Sequence, residues 1–181
     1  FKISPDGKYA AFVTNELGQL KLFVMDIEKK KLKRIYKAEK KLDRITDYSY
    51  PIIAWHPSSK LLTYVYEKKG EVNLNYFNIE TKKIEKRPPL FNFEKILDFS
   101  YAEDGKTLVM SAVQKGQTDI FVYNLTSNFT EQITKDLYDD LSPKFLNGGR
   151  QIIFASNRVD DTIRIDGKTL YQKLGKKNDL F

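Results

Sequence analysis

The sequence predicts an all-β protein built as a β-propeller of four-stranded antiparallel blades, with about four blades of a larger ring present, the first and last incomplete. Three observations support this prediction. A repeat of 44 to 52 residues runs along the chain, each repeat holds four extended segments, and no long window has convincing helical periodicity. We expect a single domain with blades at about 1–50, 51–96, 97–141 and 142–181.

Four turn pairs set the register of the repeat, and an apolar run begins three positions after each pair. In the first three repeats an apolar residue stands fifteen positions after the pair, and Asp or Asn stands nineteen positions after it. One spacing kept over three repeats without a gap indicates a repeat protein. The pairs are Asp6-Gly7, Ser58-Ser59, Asp104-Gly105 and Gly148-Gly149.

The four segments of a blade are clearest in the third repeat, at 97–103, 106–113, 118–125 and 129–134. The second segment is apolar nearly throughout, as expected for a strand that is covered on both faces, whereas the fourth is polar. A glycine eleven positions after each of the first three turn pairs predicts a tight turn between the second and third strands. The order from buried to solvated strands is that of a propeller blade followed from the ring centre to its rim.

Two segments carry a resemblance to a known repeat. SPDGKYAAFVTN (4–15), continued by LFVMDIEKKKLKRI (22–35), resembles the WD40-like, TolB-type propeller repeat, and SPKFLNGGRQIIFASNR (142–158) is a second match. HPSSK (56–60) and AEDGK (102–106) are looser copies. The resemblance covers essentially the whole chain and implies the propeller fold. Because its motifs are turn and core residues, they say little about activity.

Two connections depart from the regular repeat. The connection 37–51 between the first two blades is long, and about 16 extra residues within 158–177 are predicted between the second and third strands of the last blade. In a four-stranded meander both kinds of loop leave the same face, which we expect to contact a partner. The alternative is neutral drift of surface loops. The candidate contact residues are Tyr48, Tyr50, Arg158, Asp160, Asp161 and Arg164.

The residues that support catalysis or metal binding are sparse. The absence of cysteine excludes disulfides, thiolate metal sites and a cysteine nucleophile. The only histidine, His56, precedes a proline in a turn and is predicted to be structural, and no Gly-x-Ser-x-Gly motif occurs. Acidic clusters at 136–142 and 159–161 could bind Ca²⁺, but they lack the spacing of a known loop and are predicted to be solvated turns. We therefore predict no catalytic residue, cofactor or metal.

The net charge of +7 is concentrated in one segment. Residues 28–44 contain nine Lys or Arg against three Asp or Glu, which we interpret as a solvated outer strand and loop. A nucleic-acid surface would spread its charge over several elements, so no nucleic-acid partner is predicted. Binding of an anionic polymer by 28–44 remains an alternative. No apolar run is long enough to cross a membrane.

Function is predicted from the resemblance. It implies a non-catalytic protein-interaction scaffold, a TolB-like propeller in the periplasm or cell envelope of a Gram-negative bacterium, whose partners are other envelope proteins. Propellers of this repeat type also resemble the substrate-gating domain of prolyl oligopeptidase-like and tricorn-like serine peptidases. In that alternative a separate domain, absent from this segment, performs the chemistry.

Overall fold

The computed structural model describes residues 1–39 and 47–159, which hold fourteen β-strands and one short 3₁₀ turn. The first antiparallel sheet contains four strands in sequential order, and its first strand is only two residues long. These strands are β1 (Lys2–Ile3), β2 (Tyr9–Glu16), β3 (Gln19–Asp26) and β4 (Lys31–Lys37).

The second and third sheets repeat the same order of four strands, and two strands of a fourth sheet follow within the described residues. The second sheet holds β5 (Ile52–Trp55), β6 (Leu61–Lys68), β7 (Glu71–Asn78) and β8 (Ile84–Lys86). The third holds β9 (Lys95–Tyr101), β10 (Thr107–Gln114), β11 (Gln117–Asn124) and β12 (Thr130–Gln132). The fourth holds β13 (Asp140–Leu146) and β14 (Gln151–Ser156), joined by the 3₁₀ turn Asn147–Gly149. The predicted all-β class and four-stranded antiparallel blades are confirmed.

Turn chemistry explains why the strands pair in this register. The second residue of each turn pair has positive φ, from 61° at Ser59 to 85° at Gly149, a region that glycine enters without steric cost. Between the second and third strands, two-residue turns have positive φ at both positions, as at Leu17 (52°) and Gly18 (77°). This geometry matches the twist of the flanking strands and closes a tight hairpin.

Burial falls from the middle of each sheet to its last strand. Five consecutive residues of β10 are buried, whereas β8 is exposed throughout. One core cluster lies between the first and second sheets and another between the second and third. The largest fully buried side chains are those of Tyr64, Phe77, Phe99, Phe121, Leu22, Leu62, Leu74, Ile96, Leu108, Met110, Ile120 and Val65.

The first strands of successive sheets contact one another, so they form the centre of the partial ring. The Trp55 indole Nε1 donates a hydrogen bond to the Lys2 carbonyl at 3.0 Å and ties β5 to β1. Within residues 1–39 and 47–159, no helix has the length and hydrophobicity that a membrane crossing would need.

The turns that join first and second strands lie side by side and form what we call the turn rim (4–8, 56–60, 102–106 and 147–150). The first three contain five residues each and the last contains four. The Asp6 N–H donates to Ser59 Oγ at 3.0 Å, linking the first turn to the second. A Cβ on Gly149 would lie 3.8 Å from the Ala102 Cβ, so the fourth turn packs on the third.

Candidate functional site

The opposite end of the sheets is the loop face, formed by the two-residue turns 17–18, 69–70 and 115–116 and by the connections between successive sheets. These connections vary in length: 38–51 is the longest, while 87–94 and 133–139 are shorter. The Lys115 N–H donates to Glu94 Oε1 at 2.8 Å, which shows that both kinds of loop meet on this face.

The described part of the first connection, 47–51, is fixed to the third sheet. Asp47 Oδ2 lies 2.9 Å from Lys95 Nζ, at the start of β9. The Tyr50 hydroxyl accepts a hydrogen bond from the Ile96 N–H at 2.8 Å, and Tyr50 is 7% exposed. Tyr48, by contrast, is 58% exposed on the loop face. The connection therefore holds one tyrosine as an anchor and presents the other to solvent.

A groove of about 440 Å³ opens on the loop face between the first and second sheets. Its walls come from β4 and from the ends of β6 and β8, and Glu39 and Asp47 line the side where the first connection runs. Buried residues form the floor, and charged residues surround the opening. The buried lining residues are Leu20, Ile35, Tyr50, Tyr64 and Asn75.

Three tyrosine rings and one amide give the groove its chemistry. The Tyr36 and Tyr66 ring centroids are 4.9 Å apart, and those of Tyr64 and Tyr66 are 5.7 Å apart. Asn75 Nδ2 donates to the Tyr64 hydroxyl at 3.2 Å and to the Tyr66 hydroxyl at 3.3 Å. Burial raises the pKa of Tyr36 to about 12, with Tyr66 and Tyr64 adding to the effect, so this phenol is neutral at physiological pH.

A second polar centre of the loop face lies between the third and fourth sheets. The carboxylates of Asp119, Asp136 and Asp140 approach within 4.8 Å of one another, and all three residues are buried. Arg158 follows β14, and its guanidinium Nη2 lies 2.7 Å from both oxygens of Asp140 and 3.2 Å from Asp136 Oδ2. The arginine is therefore the counter-ion of two of the three carboxylates.

The pKa of the Asp119 carboxyl in this cluster is raised above its usual value. Burial raises the pKa of its carboxyl to about 6, and the charges of Asp136 and Asp140 act in the same direction. Gln132 Nε2 and Thr134 Oγ1 donate to its two oxygens at 2.9 and 3.3 Å, which opposes the rise. The three carboxylates could together hold a cation, although Arg158 already contacts two of them.

The prediction that the acidic cluster 136–142 is a solvated turn is wrong for two of its three aspartates. Asp136 is 5% exposed and Asp140 is fully buried, because both accept the guanidinium of Arg158. The two carboxylates share this one guanidinium as their counter-ion, which lowers the cost of burying them. Asp140 also pairs with Ser156 of β14 in the antiparallel sheet, at the start of β13.

The structure places three of the six predicted contact residues and separates their roles. Tyr48 is exposed, whereas the Tyr50 ring and the Arg158 guanidinium are largely enclosed. Asp160, Asp161 and Arg164, with the predicted insertion beyond residue 159, lie outside the described residues. Sequence reasoning missed Asp119 and Asn75. Their only signal was a polar residue next to apolar or aromatic residues within a predicted strand, at TDIFVYN (118–124) and VNLNYF (72–77).

His56 lies on the turn rim and not on the loop face. Its Nδ1 accepts the Ser58 N–H at 3.1 Å, so Nε2 carries the proton and donates to the Gly105 carbonyl at 3.1 Å. The ring also packs edge-on against Tyr101, with centroids 5.1 Å apart. Nδ1 is used within the histidine's own turn and Nε2 joins that turn to the next one, so both contacts are structural.

Comparison with solved structures shows similar folds. TolB from Acinetobacter baumannii superposes with a TM-score of 0.65 at 17% identity, over 87% of this chain and 37% of that one. The putative TolB from Agrobacterium tumefaciens gives 0.64 at 18% identity, over 87% and 55%. Prolyl oligopeptidase B from Galerina marginata gives 0.58 at 16% identity, over 86% and 24%. At these identities the likeness shows the fold alone, a partial β-propeller.

The chain spans only 37% and 55% of the lengths of the two TolB structures to which it is similar. No family model matches the chain, and no curated protein sequence matches it.

Proposed function

We propose that this chain is a non-catalytic interaction scaffold, a TolB-like propeller segment of a bacterial cell envelope that contacts other envelope proteins through its loop face. The observation that carries the proposal is the contrast between the two ends of the sheets. The turn rim is built from short turns that bind one another, whereas the loop face offers an aromatic groove and the exposed Tyr48. Aromatic side chains are enriched in the buried centres of protein interfaces.

A non-catalytic role is supported by how the polar residues are used. The only histidine of the sequence forms hydrogen bonds through both ring nitrogens. Arg158 is bound by buried carboxylates, so we assign it a positioning role at the start of the predicted insertion and assign direct contact to Tyr48. Tyr50 positions the first connection through Ile96. Asp160, Asp161 and Arg164 remain proposed contact residues.

Site-specific photo-crosslinking in the native host tests the proposal. A photoreactive phenylalanine analogue replaces Tyr48 on the loop face, and in a matched control it replaces Phe129. Phe129 is a similarly exposed aromatic residue beside the turn rim, at 64% against 58% for Tyr48. We expect a discrete adduct with another envelope protein from position 48 only. Equal adducts from both positions, or none from position 48, would contradict a loop-face interaction.

The second candidate function is the substrate-gating propeller of a prolyl oligopeptidase-like or tricorn-like peptidase. The similarity to prolyl oligopeptidase B favours it, and so does the polar ring centre, where Lys2 and Lys144 lie 4.0 and 3.5 Å from Asp98. Peptide mapping of the intact native protein by mass spectrometry separates the two functions. A Gly-x-Ser-x-Gly motif in a flanking hydrolase domain supports the gate, whereas flanks made only of further blades and interaction modules support the scaffold.

A further inference from the structure

The floor of the groove contains hydrogen-bonding groups that the fold itself does not use. Asn75 is 4% exposed, and within the described parts of the chain no group donates to its Oδ1. The Tyr64 and Tyr66 hydroxyls accept from the Asn75 amide, and neither donates to another described residue. All three residues line the groove, so these polar atoms are available to a ligand that donates to Asn75 Oδ1 and accepts from the phenols.

The tyrosine rings above this floor are arranged so that an aromatic ring of a ligand could pack against them. Tyr36 comes from the first sheet, and Tyr64 and Tyr66 come from the second, so the rings form a ladder across the boundary between the sheets. Tyr36 and Tyr66 are only half-buried. Aromatic pairs prefer offset or edge-to-face contacts with centroids about 4.5–7 Å apart, a geometry that one further ring could adopt against the exposed parts of these two.

The charges around the opening favour an acidic ligand. Lys37, Lys68, Lys69 and Lys86 line the groove, against Glu39, Asp47 and Glu67. Asp47 is already paired with Lys95, at 2.9 Å, so the remaining lining residues have an excess of positive charge. Complementary charge at an interface rim increases the rate of encounter and selects the partner.

We propose that this groove binds an acidic segment of a partner protein, with one tyrosine side chain of that segment inserted against Tyr36 and Tyr66. The inserted ring extends the tyrosine ladder, its hydroxyl donates to Asn75 Oδ1, and flanking carboxylates face the rim lysines. A volume of about 440 Å³ suits a large side chain with part of its backbone. This inference rests on the proposed scaffold function and names the chemistry of the partner segment.

Peptide display tests the inference even while the partner protein is unidentified. A random library of short peptides is selected on the immobilised 181-residue chain, and the enriched peptides are sequenced and titrated. We expect enrichment of a single tyrosine flanked by Asp and Glu. Replacement of that tyrosine by alanine in the peptide is expected to weaken binding about tenfold or more, as for a buried aromatic anchor. Enrichment of basic or non-aromatic peptides would overturn the inference.

Protein variants then locate the bound peptide. Tyr66→Ala is expected to weaken binding about tenfold, and Lys68→Glu about fivefold with a reduced salt dependence. Lys106→Glu, the same change on the exposed turn rim, is the matched control and should leave the affinity within about twofold. Thermal unfolding verifies that each variant folds, and Lys68→Glu keeps the test intact if Tyr66→Ala does not fold.

The outcomes separate this inference from the proposed function. If Tyr48→Ala weakens binding but Tyr66→Ala and Lys68→Glu do not, the contact lies elsewhere on the loop face. This result overturns the groove inference alone. Binding that is weakened only by Lys106→Glu places the contact on the turn rim and overturns both. If no peptide is enriched and a glycan array gives binding that Tyr66→Ala abolishes, the groove is a sugar site and the acidic-segment inference is wrong.

Discussion

The imidazole of His56 occupies the space that a Cβ atom on Gly105 would need. Its Nε2 lies 3.1 Å from the Gly105 carbonyl oxygen and would lie 2.3 Å from that Cβ. Gly105 also has a φ of +65°, which disfavours any side chain. Glycine is therefore needed here for two reasons: the conformation of its own turn and the close approach of the neighbouring turn.

Gly105→Ala should destabilise the protein more than Gly116→Ala. Both glycines have positive φ (65° and 75°), but a Cβ on Gly116 would have no atom within 4 Å. We expect Gly116→Ala to lower the free energy of unfolding by about 1 kcal/mol. For Gly105→Ala we expect about 1 kcal/mol more, because His56 must move and lose its hydrogen bond. Urea denaturation measures both values.

A double-mutant cycle with His56→Ala isolates the contact. In the His56→Ala background, Gly105→Ala should lower the free energy of unfolding by no more than Gly116→Ala does, since the clash and the hydrogen bond have already gone. An additional cost that persists in this background would show that backbone conformation alone makes Gly105 necessary.

Arg158→Gln should be strongly destabilising. It removes the counter-ion of Asp136 and Asp140, whose side chains have no solvent exposure, and leaves buried carboxylates without a positive partner. Breaking a buried pair from one side costs about 3–5 kcal/mol. The exposed Arg150→Gln is the control and should change the free energy of unfolding by less than about 0.5 kcal/mol. Similar values for the two variants would contradict the assignment of Arg158 as a buried ion-pair partner.

The Asp119 carboxyl should make stability fall as pH rises. Its folded-state pKa of about 6 lies above the unfolded value of about 3.9, so the folded state binds more protons between these values. The free energy of unfolding of the wild type, relative to Asp119→Asn, should therefore decrease from about pH 4 to about pH 6 and be level above about pH 7. The decrease is about 3 kcal/mol.

Urea denaturation of wild type and Asp119→Asn at several pH values measures this difference. The exposed Asp139→Asn, in the connection 133–139, serves as the control for the loss of one carboxyl without burial. A difference that rises with pH, or that does not change, would rule out a raised pKa at Asp119.

Tyr50→Phe should weaken the attachment of the first connection. The hydroxyl is the acceptor for the buried Ile96 N–H, and a buried donor without a partner costs about 1–3 kcal/mol. Tyr48→Phe removes the hydroxyl of an exposed tyrosine and should be nearly neutral. Amide hydrogen exchange reports on the same bond: the Ile96 amide should exchange faster in Tyr50→Phe only. Unchanged exchange at Ile96 would contradict the contact.

The fold was predictable because the turn residues have local causes. The positive φ at Gly7, Gly105 and Gly149 is a property of the turn itself, and the apolar run after each turn is a property of the buried strand. The periodic sequence was therefore enough to predict the order of the strands, their tight turns and the decline in burial towards the last strand of each blade.

The candidate site was less predictable because its residues come together from distant positions. Asp119 lies in β11, Asp140 begins β13 and Arg158 follows β14, so only the packing of two sheets brings them together. Nothing near Asp136 in the sequence distinguishes a buried ion pair from a solvated turn. Tyr36 and Tyr66 likewise meet across a sheet boundary, and the repeat spacing does not state which side chains touch there.

The near-constant length of the turns on the turn rim has a consequence for how such a protein can change over generations. Each of these turns is held by its neighbour, as Asp6 is by Ser59 and Gly105 by His56, so an insertion in one blade would displace the next. The connections on the loop face already differ in length without disturbing the order of the strands. Evolution can therefore vary the two ends of the molecule to different degrees. The turn rim must keep the length of its turns, whereas the loop face can acquire new binding specificities through insertions and deletions.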